Sequence, residues 1–180
     1  MTEPKQGWFQ TSTGTQFTLP NFNPRLIDIE DIAHALSQQC RFNGHTWNFY
    51  SVAEHSVRVS KEVPVEDRLW GLLHDASEAY LGDVVKPLKV LLPDYQKMED
   101  DLMRVICGVF DLPSRMPESV KRADLVLLAT ERRDMTFDLD SNNVAVWDDL
   151  VGVDPLVGRI SSWSYIEAKQ RFLQRFEELT

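Results

Sequence analysis

Cysteine is scarce in this chain of 180 residues: Cys40 and Cys107 stand alone, without a C-x-x-C pair. This scarcity excludes a disulfide framework and a thiolate zinc site. The chain also lacks an apolar run approaching the roughly 20 residues that cross a bilayer, and it opens without a basic-then-apolar leader. Both absences favour a cytoplasmic protein with no membrane partner.

Positive charge is also in deficit, with 19 Lys and Arg against 28 Asp and Glu and a formal net charge of −9. A surface of this sign repels the phosphate backbone, so we expect no nucleic-acid polymer as a partner. A local cluster of basic residues together with a metal cation can still bind a small phosphate. The glycine-rich phosphate motifs G-x-G-x-x-G and G-x-x-x-x-G-K are absent, and so are internal repeats.

The composition, 43% hydrophobic and 26% charged, is that of one ordinary globular domain spanning residues 1–180. Helical spacing of apolar residues predicts a compact all-α bundle, with helices from about residue 28 and over about 51–62, 65–81, 94–111, 118–136 and from 162. The first 24 residues suit an irregular segment or a hairpin. Residues 134–158 suggest an acidic, irregular connection with a short helical turn near Trp147.

The most informative feature is an adjacent histidine and aspartate, His74-Asp75, in the run LLHDASEAYLGD at residues 72–83. Glu78 follows His74 by four residues and Asp75 by three, so on a helix it projects from the same side. The imidazole and the carboxylate can bind one metal ion, and Glu78 then supplies a non-ligand acid nearby. The alternative is a buried hydrogen bond between His74 and Asp75 inside an apolar helix.

Two more residues are candidates for the same metal site. Asp124 has apolar residues four positions before it and three and four positions after it, which places its carboxylate on an apolar helix face. A buried acid needs a partner, either a metal ion or a basic residue such as Lys121 or Arg122. His55 lies between valines on an inward stripe, where a hydrogen-bonded core histidine is the alternative.

Together these residues resemble the HD-domain phosphohydrolase superfamily, which is all-helical. SVAEHS at 51–56 and LLHDASEAYLGDVVKPLK at 72–89 are similar to the small 5′-deoxynucleotidase group and to phage dATP triphosphohydrolases. IDIEDIAHALSQQCRF resembles prophage-encoded members of the same group. The resemblance covers residues 25–136, and HDASE-x-x-x-GD is its most specific part.

The resemblance implies one divalent metal ion, which could be Mn, Co, Zn, Fe or Mg, held by His55, His74, Asp75 and Asp124. The ion would polarise a phosphoryl oxygen and activate a water molecule that attacks the phosphorus nearest the sugar. Glu78 would act as general acid or base, with Asp83 assisting it. Asp83, just past Gly82, is equally well explained as a turn residue.

The substrate contacts that the resemblance implies are basic and aromatic. Arg41, Lys86, Lys89 and Lys121 would bind phosphates, although each alone suits a solvated surface position. Phe42 and Trp47 would stack on the base, with a place in the core as the alternative. His34 and His45 have structural explanations.

The function expected from these residues is hydrolysis of the 5′ phosphoester of deoxynucleotides, with dATP or another dNTP giving the deoxynucleoside and triphosphate. A 5′-deoxynucleotidase acting on monophosphates would use the same motifs and is the first alternative. A non-catalytic nucleotide-binding HD module is the second, and a helical interaction protein whose His-Asp pair is an incidental core contact is the third. Members of the resembled group are oligomers, so the resemblance also implies a homo-oligomer, a dimer or larger.

Overall fold

The computed structural model describes residues 7–136 and 147–180, and it is mostly helical. The first described element is a hairpin in which β1 (Gly7–Gln10) pairs antiparallel with β2 (Gln16–Leu19). The side chain of Phe17 on β2 is buried and stacks on Tyr80, with the ring centroids 4.3 Å apart. This contact ties the hairpin to the helical core, and the predicted mainly helical fold with an N-terminal hairpin is confirmed at this level.

Helices make up most of the remaining described structure. Their bounds are α1 (Ile29–Gln38), α2 (Val52–Lys61), α3 (Arg68–Leu73), α4 (Glu78–Leu81), α5 (Lys86–Lys89), α6 (Pro93–Val109), α7 (Glu118–Met135) and α8 (Tyr165–Leu179). Two of the predicted starts have side-chain caps, because Asp28 accepts a hydrogen bond from the Glu30 amide and Ser51 accepts one from the Glu54 amide. These polar residues stop the helices from extending backwards into the preceding loops.

The central element is α2, which packs against α1, α3, α7 and α8. It is buried along almost its whole length, including the polar residues Glu54, His55 and Ser56. A polar side chain in the middle of a helical core is costly unless it has a partner. Among the described residues, no helix combines the length and the apolar character that a membrane span requires.

A glycine sets the close approach of α3 to α2. A Cβ atom at Gly71 would lie 3.0 Å from Ser60 Cα, 3.3 Å from Ser60 N and 3.3 Å from a methyl group of Val63. Only a residue without a side chain therefore fits at this crossing. Because α2 carries His55 and α3 leads directly into His74, the close crossing also sets the separation of the two histidines.

The prediction of one continuous helix over 65–81 is wrong. The segment forms a 3-10 turn at Val65–Asp67, then α3, then a turn over 74–77, and then α4. His74 Nδ1 lies 2.8 Å from the Gly71 carbonyl oxygen, the acceptor that the next backbone amide would use in a regular helix. In the turn, the Ala76 and Glu78 amides instead donate to the carbonyls three residues earlier. The predicted helix end at Gly82 is correct, and its φ is 89°.

Other boundaries differ less. The helix α5 was not predicted, and α8 begins at Tyr165 rather than near 162, because the Ser164 hydroxyl caps it by accepting from the Glu167 amide. The predicted helical turn near Trp147 is confirmed as a 3-10 turn at Asp148–Leu150. Of the acidic connection predicted over 134–158, Asp134 and Met135 belong to α7, and residues 137–146 lie outside the described residues.

The crossing at Gly71 generates a stability prediction. We expect Gly71→Ala to lower the free energy of unfolding by about 1–3 kcal/mol, because the new methyl group meets backbone atoms of α2. Urea denaturation measures the change. The matched control is Gly108→Ala in α6, where a Cβ would meet nothing within 4 Å. This substitution should stabilise the protein by about 0.5–1 kcal/mol, because alanine favours a helix more than glycine does. Equal effects of the two substitutions would contradict the close-crossing argument.

Candidate metal centre

Two histidines from different helices face each other in the core. The Nε2 atom of His55 on α2 lies 3.3 Å from the Nε2 atom of His74, which follows α3. The His55 side chain is fully buried and that of His74 is 2% exposed. The two imidazoles therefore meet in a site that is almost closed to solvent.

Two aspartates complete the cluster. Asp124 Oδ1 on α7 lies 3.1 Å from His55 Nε2, and Asp75 Oδ2 lies 3.2 Å from His74 Nε2 and 3.8 Å from His55 Nε2. The side chains of His55, His74, Asp75 and Asp124 thus converge from positions up to 69 residues apart in the sequence. The sequence pattern anticipated this grouping, and the geometry brings all four residues together.

The hydrogen bonds on the far side of each ring fix which nitrogen faces the centre. His55 Nδ1 donates to the Glu131 carboxylate at 2.5 Å, and His74 Nδ1 donates to the Gly71 carbonyl at 2.8 Å. A neutral imidazole that carries its proton on Nδ1 presents a lone pair on Nε2. Two such lone pairs and two carboxylate oxygens repel one another unless a cation lies between them.

The donor spacing suits a single divalent ion. Ligands about 2.0–2.2 Å from one metal, with angles near 90–110° between them, are about 2.8–3.6 Å apart. Three of the four measured separations fall in this range, at 3.1, 3.2 and 3.3 Å, and the fourth is 3.8 Å. Two imidazoles and two carboxylates form a borderline-hard donor set that accepts Mn, Co, Zn, Fe or Mg. His55, His74 and Asp124 each offer one ligand atom, and these three atoms lie within 4.8 Å of one another, so they fit a single metal ion. Asp75 lies beside this group, with Oδ2 3.2 Å from His74 Nε2.

Asp124 differs from its sequence prediction in one respect. Its side chain is 41% exposed, so it lies at the mouth of the site and not at a buried core position. His55 is the neighbour of Asp124, and the suggested partner Lys121 instead pairs with the exposed Glu118 at 2.6 Å. The neighbouring residues Val120, Ala123 and Leu127 are buried in a core cluster, whereas the carboxylate of Asp124 reaches solvent.

Glu131 is a site residue that the sequence prediction missed. Its fully buried carboxylate contacts the metal-ligand candidate His55, the Tyr50 hydroxyl at 2.9 Å and the Arg41 guanidinium at 3.1 Å. Glu131 follows Asp124 by seven residues, or two helical turns, so both lie on the same face of α7. That spacing was the available signal.

Glu78 and Asp83, the predicted acid–base residues, lie beside the cluster. Burial, together with the nearby Asp75 and Asp83 carboxylates, raises the pKa of Glu78 well above its usual value. Within the described structure the Oε2 atom of Glu78 is buried without a hydrogen-bond partner, whereas Oε1 lies 3.4 Å from Lys89 Nζ. Burial also raises the pKa of Asp83, whose amide donates to the Gln39 side chain. Glu78 is therefore a protonatable group with an unoccupied acceptor.

The four predicted phosphate-binding residues are divided between the site and the surface. Arg41 Nη1 lies 3.6 Å from Asp75 Oδ2 in the cluster, whereas Lys89 lies between Glu78 and Glu99. Lys86 is 69% exposed and pairs with Asp149 at 2.7 Å, and Lys121 is 45% exposed. The structure thus brings Arg41 and Lys89, but not Lys121, into contact with site residues.

Aromatic side chains lie beside Arg41. Phe42 has a φ of 56°, a left-handed conformation that is unusual for a bulky residue, and its ring lies 5.3 Å from the Arg41 guanidinium carbon. The ring of Trp147 is 6.0 Å from that of Phe42. Trp47, the other predicted stacking residue, is 58% exposed at the end of α7, where its indole N–H donates to the Thr136 carbonyl at 2.7 Å. Phe42 therefore links Arg41 to Trp147, whose ring also lies 5.4 Å from the Arg132 guanidinium carbon.

The fold and the site define a mainly helical protein with a candidate metal centre of two buried histidines and two partly exposed aspartates. The sequence is 41% identical over 174 residues to the uncharacterized protein YfdR of Escherichia coli, covering 96% of each chain. It is 37% identical over 129 residues to the uncharacterized protein RCAP_rcc00048 of Rhodobacter capsulatus, covering 66% of each chain. No family model matches the sequence. The chain belongs to the same family as YfdR.

The charges around His55 generate a pH prediction. Burial and the Arg41 guanidinium act to lower the pKa of His55, but the Glu131 and Asp124 carboxylates outweigh them and raise this pKa to about 9. In the metal-free protein a proton on His55 therefore stabilises the fold fully below pH about 6.5, and this contribution is lost as the pH rises through about 9. A metal ion must displace that proton.

We therefore expect Mn²⁺ affinity to rise with pH between about 6.5 and 9, with proton release on binding. Isothermal titration calorimetry in buffers of different ionisation enthalpy measures both quantities. The metal-free protein should lose stability over the same interval, by about 3 kcal/mol. Affinity that does not change with pH would contradict the assignment of His55 as a ligand.

Proposed function

We propose that this protein is a metal-dependent phosphohydrolase of the HD type that cleaves the 5′ phosphoester of deoxynucleotides. The observation that carries the proposal is the convergence of two imidazole nitrogens and two carboxylate oxygens at separations of 3.1–3.8 Å, next to a buried acid and a guanidinium. Deoxynucleoside triphosphates, dATP first, are the substrates that we propose.

The residues that would hold the metal are His55, His74, Asp75 and Asp124. A divalent ion at this position supplies a Lewis acid that polarises a phosphoryl group and makes a water molecule more acidic. Without the ion, the four side chains alone do not offer a strong nucleophile. We therefore expect activity to require the metal.

Glu78 is suited to move the proton in this reaction. When the oxygen of water bonds to the phosphorus nearest the sugar, the bond from that phosphorus to the 5′ oxygen breaks. The proton that water loses passes to the Glu78 carboxylate, and a proton from Glu78 reaches the departing 5′ oxygen to give the alcohol. The raised pKa of Glu78 and its unpaired Oε2 atom both favour such an exchange. The carboxylate of the half-buried Asp83 contributes to the raised pKa of Glu78.

Arg41 and Lys89 are the basic groups placed to meet phosphate charge. The Arg41 side chain is 12% exposed, so its guanidinium is fixed near Asp75 and reaches the surface only at its edge. Its planar donors suit phosphoryl oxygens. The ring of Phe42, which lies against Arg41, and the ring of Trp147, 6.0 Å from that of Phe42, offer apolar faces for a nucleobase. A nucleoside phosphate matches these groups: its phosphates would meet the metal site and the basic side chains, and its base would meet the aromatic rings.

A substrate panel tests the proposal. Deoxy- and ribonucleoside mono-, di- and triphosphates are incubated with the protein loaded with Mn²⁺, Co²⁺ or Mg²⁺, and the products are separated by chromatography. We expect release of the deoxynucleoside, with tripolyphosphate from dATP and no reaction after chelation. Hydrolysis confined to monophosphates would make the protein a 5′-deoxynucleotidase instead. No hydrolysis of any nucleotide by metal-loaded protein would overturn the proposed function.

Replacing Glu78 tests its role in proton transfer. We expect Glu78→Gln to reduce kcat about 10²–10⁴-fold, because the amide cannot exchange a proton, while the four metal ligands remain in place. Steady-state kinetics and metal titration are the measurements. Glu118→Gln, at a carboxylate with a 79% exposed side chain, is the control and should leave kcat unchanged. A kcat for Glu78→Gln within threefold of the parent would contradict the role of Glu78.

A further inference from the structure

We infer that Glu131 is a positioning residue that fixes a metal ligand and the phosphate-binding arginine through one buried carboxylate. The phosphate-binding role of Arg41 rests on the proposed function, whereas the contacts of Glu131 are observed independently of it. The Glu131 side chain is fully buried in the middle of α7. Burying a carboxylate without partners costs free energy, so the partners of Glu131 need an explanation.

The two carboxylate oxygens of Glu131 bind different groups. Oε1 accepts from His55 Nδ1 at 2.5 Å and from the Tyr50 hydroxyl at 2.9 Å. Oε2 accepts from Arg41 Nε at 3.1 Å and lies 3.1 Å from Arg41 Nη2. One side chain therefore holds a group from α2 and a group from the loop after α1.

These bonds set the direction in which both partners point. With Nδ1 bound to Glu131, the His55 ring presents Nε2 to His74, Asp75 and Asp124. With Nε and Nη2 of Arg41 occupied, its remaining nitrogen Nη1 lies 3.6 Å from Asp75. A carboxylate bonded to the far nitrogen of a metal-binding histidine fixes its tautomer and its orientation, and it makes the ligand more basic.

Glutamine cannot replace Glu131 in this arrangement. Its single oxygen can serve His55 and Tyr50 or Arg41, but not both sides, and its amide group would then point N–H donors at the other donors. We therefore expect Glu131→Gln to weaken metal binding and anion binding together. A residue that only fills the core would affect stability alone.

Glu54 provides a matched control. It is also a fully buried glutamate, on α2, but its partners are Arg58 at 2.7 Å and the Trp163 amide at 2.8 Å. Glu54→Gln therefore removes a buried charge of the same kind while leaving the ligands' own hydrogen bonds unchanged. A general loss of core stability should appear equally in both variants.

The first experiment titrates Mn²⁺ into the metal-free full-length protein and its two variants by calorimetry at one pH. We expect Glu131→Gln to weaken Mn²⁺ binding about 10–100-fold and Glu54→Gln to change it less than threefold. Thermal unfolding of the metal-free proteins reports the stability cost separately. Equal losses of affinity in the two variants, or no loss in Glu131→Gln, would overturn the inference.

The second experiment measures anion binding by the protein at saturating Mn²⁺. Binding of inorganic tripolyphosphate should weaken at least fivefold in Glu131→Gln, and Arg41→Ala should add little further loss in the Glu131→Gln background. Additive losses would show that Glu131 does not act through Arg41 and would overturn this part of the inference.

The outcomes also separate the inference from the proposed function. If the parent binds Mn²⁺ and Glu131→Gln weakens that binding, but no nucleotide is hydrolysed, the positioning role stands and the hydrolase proposal fails. If hydrolysis occurs and Glu131→Gln binds Mn²⁺ normally, only the inference fails. A parent protein that binds no divalent metal would overturn both.

Discussion

Four electron-rich atoms converge in the interior of this protein, and their mutual repulsion is the constraint on which the rest of the site depends. Two imidazole nitrogens and two carboxylate oxygens lie 3.1–3.8 Å from their neighbours, in a place where water offers little screening. Such a group is stable only when a proton or a metal ion lies among its members. The carboxylates that favour a proton on His55 also favour a divalent cation between the ligands. The site can therefore exchange the His55 proton for a metal ion.

The surrounding fold keeps these atoms close. Gly71 allows α3 to lie against α2 at a distance that no other residue permits, and its carbonyl fixes the ring of His74. On the opposite side, Glu131 on α7 fixes the ring of His55. The two histidines are thus held from outside the cluster, by a backbone carbonyl and by a carboxylate. This arrangement lets their inward nitrogens remain available even though the residues are buried.

Local patterns in the sequence predicted the helical elements well where side chains decide the local structure. Asp28 and Ser51 cap the helices that they were expected to begin, and Gly82 ends the helix before it in a left-handed conformation. The prediction failed over 65–81 because the spacing of apolar residues is the same whether they lie on one continuous helix or on two shorter ones. There the interruption comes from the hydrogen bond between the imidazole of His74 and a carbonyl, which apolar periodicity does not reveal. The exposure of Asp124 was missed because spacing identifies a helix face but not where that face meets solvent.

The sequence by itself determined the chemical types available to the site: two histidines, two aspartates and a nearby glutamate, with the adjacent pair and Glu78 close enough in sequence to share one side of a segment. Only the tertiary structure decided which distant groups join them. Glu131 and Trp147 carry no motif. Glu131 became part of the site because α7 packs beside α2, and Trp147 lies against Phe42, the residue after Arg41. The physical reason is that helical periodicity acts over a few turns, whereas contacts between residues 55, 74, 124 and 131 depend on how whole helices pack.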